Sequence, residues 1–419
     1  MREMKDSGIA WIGEIPSTWN TMANKYVMHK EKNICPVYHG EDILSLTMRG
    51  VIVRDLDAGG KMPTSFDGYQ KIMPGNLLMC LFDIDVTPRC VGLIKQSGLT
   101  SPAYSQFVLN SGFDAAYYCY YYTMLDNDKT LLHLAKNLRH SLTEEQLGAV
   151  SLIVPPYKEQ LAISAFLDAK CAEIDALSGS IQSEIDTLEQ YKRSVISEAV
   201  TRGLDPNVPM KDSGITWVKQ IPKHWAVIPS KYLFHNSDTR KYPGDEQLTA
   251  SQRHGIITQR EYMERENAKV VFATQGLDNW KHVKPNDFVI SLRSFQGGLE
   301  MSETTGCITW HYVVLEASKP IYPPFYKWLF KSVQYINALQ GTCNFIRDGQ
   351  DLRFSNFSKV PLYEPPMDEQ KAIADYLDAK CAEIDQTIAQ KQEQLDTLAD
   401  YKKSLIYEYV TGKKEVPGS

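Results

Sequence analysis

The strongest constraint on this 419-residue chain is an internal repeat about half its length. Met4-Lys-Asp-Ser-Gly-Ile-Ala-Trp11 returns as Met210-Lys-Asp-Ser-Gly-Ile-Thr-Trp217. Each copy continues to an Ile-Pro pair (Ile15-Pro16, Ile221-Pro222) and a tryptophan (Trp19, Trp225). Further on, Asp168-Ala-Lys-Cys-Ala-Glu-Ile-Asp175 returns unchanged as Asp378 to Asp385. Around it, Pro155-Pro156 answers to Pro365-Pro366, Glu159-Gln160 to Glu369-Gln370, Tyr191-Lys192 to Tyr401-Lys402, and Val200-Thr201 to Val410-Thr411. Chance does not give a long identity flanked by collinear matches. The chain must fold as two copies of one unit.

Between the matched ends lie two segments with little shared sequence, 20–154 and 226–364. The repeat offset drifts from 206 to 210 across them. Faint correspondences survive: Pro74-Gly-Asn-Leu-Leu-Met79 with Pro285-Asn-Asp-Phe-Val-Ile290, and Gly98 through Tyr104 with Gly306 through Tyr312. Divergence inside a duplicated frame is what two readers of different ligands would show. Neutral drift after duplication is the alternative.

After each Pro-Pro comes a proline-free stretch with apolar residues at three- and four-residue steps. In the first copy these are Leu167, Cys171, Ile174, Ile181, Ile185, Leu188, Tyr191 and Val195, with Ser178 as a polar interruption. In the second they are Leu377, Cys381, Ile384, Ile388, Leu395, Leu398, Tyr401 and Leu405, interrupted by Lys391. This periodicity predicts two coiled-coil-like helices of about 40 residues, or ~60 Å each. Such a helix alone would leave its stripe in water, so the two stripes are expected to pack on each other. A pseudo-two-fold axis between the copies makes the pair antiparallel and brings the chain's end back to its beginning.

The fold expected is α/β (α+β): two pseudo-symmetric variable domains with mainly antiparallel sheets, joined by the two long antiparallel coiled-coil-like helices. The boundaries expected are 1–155 and 204–365 for the domains, 156–203 and 366–412 for the helices, and 413–419 for a tail. Segments 91–94, 104–109, 270–273, 288–292 and 309–315 read as strands, and 131–137 and 324–340 as helices.

Charge separates along these boundaries. The chain has 45 basic and 51 acidic residues. The acid concentrates in the two helical stretches, whereas 204–364 carries 19 basic and 16 acidic residues. A negative total therefore does not forbid local basic surfaces that track phosphates. Polar and basic residues gather in turn-rich segments. In the first copy these are Thr47, Arg49, Arg54, Lys61, Asp83 and Arg89. In the second they are Ser251, Gln252, Arg253, His254, Arg260, Arg293, Gln296, Asn344 and Arg347. Such side chains can satisfy base edges, and their cations can hold phosphates. Any one of them taken alone reads equally as a solvated loop residue.

Catalytic signatures are missing. Val154-Pro-Pro-Tyr157, Tyr322-Pro-Pro-Phe325 and Glu364-Pro-Pro-Met367 lack the Asn, Asp or Ser that an aminomethyltransferase needs before its prolines. They read as breaks before helices. No P-loop or glycine-rich nucleotide turn follows a strand. Glu369-Gln-Lys371 imitates part of a nuclease signature but sits in a repeated helix start. The nine histidines form no metal-spaced pair, and the eight cysteines show no CxxC spacing. The expectation is a cytoplasmic chain with free thiols, no metal site, no membrane span and no secretory signal.

The repeated openings, the two Pro-Pro-x-x-Glu-Gln helix starts, and the two Leu-Asp-Ala-Lys-Cys-Ala-Glu-Ile-Asp helices together resemble specificity subunits of type I restriction–modification systems. The resemblance covers the whole chain. It implies two target-recognition domains, each reading one half of a split double-stranded DNA target, with the helices setting the spacing. It also implies docking of two methyltransferase subunits and, through them, restriction subunits. In that family catalysis, S-adenosylmethionine, ATP and Mg belong to the partners and no cofactor to this chain. The alternatives are a stand-alone DNA methyltransferase or nuclease, and a coiled-coil adaptor that binds only protein.

Overall fold

A computed structural model describes residues 2–57, 63–135, 140–291, 294, 298–342 and 352–418. The chain divides into two compact units, Met1–Gln182 with Glu393–Ser419, and Ser183–Gln392. Each unit combines one mixed α/β domain with the beginning of one long helix and the end of the other.

In the first unit the opening motif forms a small antiparallel pair, Met4–Asp6 with Glu14–Pro16. The domain sheet has four antiparallel strands in the order Met28–Glu31, Ser105–Leu109, Leu77–Met79, Val91–Leu93. Helix Ala115–Asn127 begins where Asp114 accepts the Tyr117 backbone N–H at 2.8 Å. It buries Tyr117, Tyr118, Tyr121 and Tyr122 completely. Two of their hydroxyls donate to buried carbonyls, Tyr117 to Val410 at 2.8 Å and Tyr118 to Ile153 at 3.2 Å. These bonds satisfy groups that would otherwise be costly to bury.

The second unit repeats this plan. Met210–Ile215 pairs with Val218–Pro222. Its sheet runs Phe234–Ser237, Val313–Ala317, Phe288–Ile290, Glu300–Met301, again all antiparallel. Helices Pro323–Lys331 and Val333–Gln340 stand where the first unit has its tyrosine-rich helix. Mixed helix with mainly antiparallel sheet in two related copies is the expected fold class.

The long helices are Tyr157–Arg202 and Met367–Val410. Each is anchored at its start by a glutamine. Gln160 donates to the Pro155 carbonyl at 2.9 Å, and Gln370 to that of Pro365 at 2.8 Å. Each ends in a glycine with left-handed backbone, Gly203 (φ 76°) and Gly412 (φ 70°). Glycine pays no Cβ penalty at this helix-ending position. In the first unit Phe166 packs on Tyr409 with ring centroids 4.5 Å apart, and Asp175 pairs with Lys402. In the second, Glu184 pairs with Lys391 and Asp385 with Lys192. One helix's numbers rise as the other's fall, so the helix segments within each unit are antiparallel.

Leu167, Cys171, Ile174, Ile181, Ile185, Leu377, Cys381 and Ile384 of the expected seam are buried, whereas Leu188, Ile388, Leu395 and Leu398 are half-buried. Burial pushes the Cys171 thiol up, and that of Cys381 up to about 11. Leu167, Cys171 and Ile174 also belong to the first domain's core, and Leu377 and Cys381 to the second's. The seam is therefore continuous with the domain cores. Tyr191 and Tyr401 depart from the expected pattern, at 48% and 54% exposure. A 3.6-residue helix drifts off a 3.5-residue stripe; the expected Val195 and Leu405 are buried, and Ile196 and Ile406 are buried beside them. Lys391 does not interrupt the pairing but spans the two helices to Glu184.

Other local expectations need correction. Segment 270–273 is not a strand. Segment 324–340 is two helices that share Ser332 as a cap in extended conformation. The expected helix at 131–137 is a 3-10 turn, Thr130–Leu134, and residues 136–137 lie outside the described ones.

Candidate nucleic-acid interface

Thr47 and Arg49 in the first unit and Ser251 to His254 in the second stand on equivalent hairpins. In the first, Leu44–Thr47 and Gly50–Val53 form a hairpin whose tip is Met48-Arg49. In the second, Leu248–Ser251 and Gly255–Thr258 form its counterpart, with the tip Gln252-Arg253-His254. Each return strand opens on a left-handed glycine, Gly50 (φ 92°) and Gly255 (φ 70°), which lets the chain reverse within a few residues. Hydroxyls brace both tips. Thr47 Oγ1 accepts the Arg49 N–H at 3.1 Å. Ser251 Oγ accepts those of Arg253 and His254 at 3.3 and 3.2 Å.

A second pair of glycines fixes the hairpins from below. A Cβ on Gly98 would lie 2.6 Å from the Asp42 carbonyl oxygen, and one on Gly306 2.5 Å from that of Glu246. No side chain fits at either point. The faint sequence correspondence at these glycines marks the place where strand and hairpin base touch.

At the first tip Arg49 is exposed and borders a cleft of about 760 Å³. Arg89, Lys95, Lys402 and Lys403 also line this cleft. Arg89 reaches Asp126 at 3.3 Å, Lys402 reaches Asp175, and Lys403 reaches Asp400. Lys95 is exposed on the rim. It escaped sequence reasoning because a lone lysine after a strand carries no pattern. Buried Asp126 holds both Arg89 and Lys129 and accepts the Cys90 N–H at 3.0 Å, so it ties down the 83–89 loop. Asp83 bends that loop with a left-handed backbone (φ 47°). Arg54 donates its backbone N–H to the Ile43 carbonyl at 2.7 Å beside the hairpin base.

At the second tip Glu266 gathers the cations. Its carboxylate is 2.6 Å from His254 Nε2 and 3.4 Å from Arg253, whose side chain is 79% exposed. The His254 hydrogen bond, with Arg253 beside it, lowers the Glu266 carboxyl below its usual range. Gln252 is exposed at the same tip. Arg260 is exposed on helix Gln259–Glu266 and not in a turn. That helix begins where Thr258 Oγ1 accepts the Glu261 N–H at 3.1 Å, a cap that turn-rich reading overlooked. Lys61, Arg293, Gln296, Asn344 and Arg347 lie outside the described residues.

Among the described residues no cluster of His, Cys, Asp and Glu is grouped to hold a metal ion, and no helix is long and apolar enough to cross a membrane. The two tips offer hydrogen-bonding side chains and cations on braced hairpins.

No protein-family model matches the chain. A putative type I restriction enzyme MjaX specificity subunit from Methanocaldococcus jannaschii is 25% identical over 292 residues, 66% of this chain and 62% of the relative. The match thus spans less than two thirds of that relative's length. Among solved structures, a chain from "Structural basis underlying complex assembly and conformational transition of the type I R-M system" superposes with a TM-score of 0.68 at 12% identity, over 96% of this chain and 99% of that one. The HsdS subunit from Thermoanaerobacter tengcongensis aligns with a TM-score of 0.49 at 14% identity, over 96% and 98% of the two chains. In sequence the chain is similar to that specificity subunit, and in fold to that chain of a type I R-M system.

Proposed function

We propose that this chain is the DNA-specificity subunit of a type I restriction–modification complex, in which each unit reads one half of a bipartite double-stranded target. One observation carries the reading: two equivalent hairpins stand on the same glycine-fixed base, yet their tips differ in length and chemistry. A duplicated frame that holds its support and varies its tip suits two readers of unlike sequence. Arg49, Arg253, Gln252 and Ser251 are of the types that pair with base edges, and Lys95 is of the type that holds a phosphate.

On this reading the chain is not itself an enzyme. Methylation and cleavage, with their S-adenosylmethionine, ATP and Mg, fall to methyltransferase subunits and to restriction subunits that join through them. The long helices dock the methyltransferase subunits and set the number of unread base pairs. The relative's name and the shared fold support this division of labour.

The test is to express the chain with its methyltransferase partner and map methylated bases across a genome. A split target with a fixed gap is the expected result. Methylation without a split target, or by the purified chain alone, would favour an independent methyltransferase. Purified chain that ignores every duplex, at low and high salt alike, would favour a protein-only adaptor.

A further inference from the structure

Two stretches of the repeat that otherwise differ share three exposed side chains. Segments 20–32 and 226–238 stand 206 residues apart, and only Lys25, Tyr26 and His29 return, as Lys231, Tyr232 and His235. Their buried neighbours are exchanged: Asn24, Val27 and Met28 answer to Ser230, Leu233 and Phe234. The lysine, tyrosine and histidine are exposed in both units, the tyrosines at 59% and 62%. Stability alone works the other way round. It holds buried positions and leaves exposed ones free to drift, because surface substitutions cost little.

The two units also hold these side chains alike. Lys25 Nζ rests 5.1 Å from the centroid of the Tyr26 ring, and Lys231 Nζ 5.4 Å from that of Tyr232. Among the described residues neither ammonium forms an ion pair. His29 Nδ1 is 2.9 Å from Asn110 Oδ1, and His235 Nδ1 is 3.1 Å from Ser318 Oγ. The tether differs, yet in both rings it engages Nδ1 and leaves Nε2 for another contact. Each set stands at the root of its domain. Strand Asn20–Ala23, just before Lys25, pairs with Ser151–Val154, which leads through Pro155-Pro156 into helix Tyr157–Arg202. Ala226–Ile228 and Leu362–Glu364 do the same before helix Met367–Val410. The reading hairpins lean elsewhere. His29 and His235 lie on the first strand of the four-stranded sheets. At the last strand, a Cβ on Gly92 would lie 2.7 Å from Leu46 Cδ1 of the hairpin, and Ile256 bridges to Ser302 beside Met301. First and last strands are three spacings apart, ~14 Å.

Exposed side chains kept in both units, while the reading tips diverge, point to a ligand that is the same at both. A tyrosine ring more than half bare suits a protein surface, where tyrosine is enriched among the residues that dominate binding. The ammonium and the imidazole call for a carboxylate on that surface. DNA phosphate, the other ligand common to both units, needs cations but no retained aromatic ring. We infer that Lys25, Tyr26 and His29, and likewise Lys231, Tyr232 and His235, are two equal docking points for one protein partner, one copy per unit. The partner brings a carboxylate to the cations and an apolar side chain to the ring. The proposed function supplies such a partner in the methyltransferase subunit, which it docks on the helices that start beside each set. The inference rests on that function and extends the docking surface from helix to domain root.

The experiment titrates purified methyltransferase subunit against the full chain and counts bound copies by native mass spectrometry. Wild type should bind two. Lys25→Glu with Tyr26→Ala should weaken one copy roughly 10-fold and leave the other. Lys231→Glu with Tyr232→Ala should do the same, and the four changes together should weaken both. Tyr26→Phe keeps the ring and should bind as wild type does. These side chains are exposed, so melting temperature should hold; if Tyr26→Ala lowers it, Lys25→Glu alone carries the test. Undiminished binding of both copies by the fourfold variant would overturn the inference. So would intact docking with weaker binding to duplex DNA and a shallower salt dependence, which would assign the lysines to phosphates. If wild type itself binds no methyltransferase subunit, the proposed function falls and takes this inference with it, an outcome distinct from any variant result.

Discussion

Lys402 Nζ lies 2.6 Å from Asp175 Oδ1 in the first unit, and its repeat-mate Lys192 lies 2.5 Å from Asp385 in the second. The same bond is thus made twice, between opposite helices, by residues related through the 210-residue offset. Both pairs are partly exposed, so each should contribute only ~0.2–1 kcal/mol. Lys402→Ala and Asp175→Ala should each lower stability slightly, and the double variant by less than their sum. Chemical denaturation of the four-member cycle measures this coupling, and strict additivity would deny it.

The glycine pair should be far less tolerant. In Gly306→Ala the new methyl would collide with the backbone oxygen of Glu246, which cannot swing away as a side chain can. Gly98→Ala meets Asp42 in the same way. A loss of ~1–3 kcal/mol is expected for each, read as a fall in melting temperature. Gly179→Ala, where a Cβ meets nothing within 4 Å on a helix, should not destabilise and serves as the control.

Stability should also respond to pH through Asp287. Burial pushes its carboxyl up to about 6, against the Lys284 N–H that bonds the ionised form. Below about pH 4 both folded and unfolded chains hold the proton, and burial has no ionic cost. Between about 4 and 6 the unfolded chain ionises first, so stability falls as pH rises. Asp287→Asn keeps an acceptor for Lys284 and abolishes the titration. It should therefore match wild type near pH 4 and exceed it by ~1 kcal/mol above pH 6. Melting temperatures that differ equally at both pH values would contradict this.

If the long helices set the gap in the target, four residues inserted between Leu177 and Gln190 should add ~6 Å of helix and widen that gap. Methylation mapping of the insertion variant reads the gap directly. A target with the original spacing would remove the ruler from the proposed function.

Much of this architecture could be read from residues alone, and the parts that could not have identifiable causes. The repeat exposed the two-copy plan because its motifs make the same bonds twice: Trp19 donates to Glu159 at 3.1 Å, and Trp225 to Glu369 at 2.9 Å. The helical stripe was legible because one face is buried and the other wet. Helix Ala115–Asn127 was not, since its four buried tyrosines sit in adjacent pairs and leave no clear stripe. The hairpins Leu44–Val53 and Leu248–Thr258 were invisible as a pair because their tips differ in length and only the glycines beneath them correspond. Arg260 was assigned to a turn because helix Gln259–Glu266 buries none of its residues and so has no apolar period to find. The strand expected over 309–315 begins only at Val313, because Thr309 and Tyr312 close a turn before it.

The division into units has a consequence for how a ribosome delivers this protein. Ser183–Gln392 is one uninterrupted stretch, whereas the other unit needs both Met1–Gln182 and Glu393–Ser419. Its core is closed by Leu405, Ile406, Tyr409 and Val410, and Gly412 sits against Pro16 and Trp19. Translation usually lets the first-made domain fold first. Here the half made second has all its parts while the half made first still waits for its last helix turns, so the order of completion runs opposite to the order of synthesis.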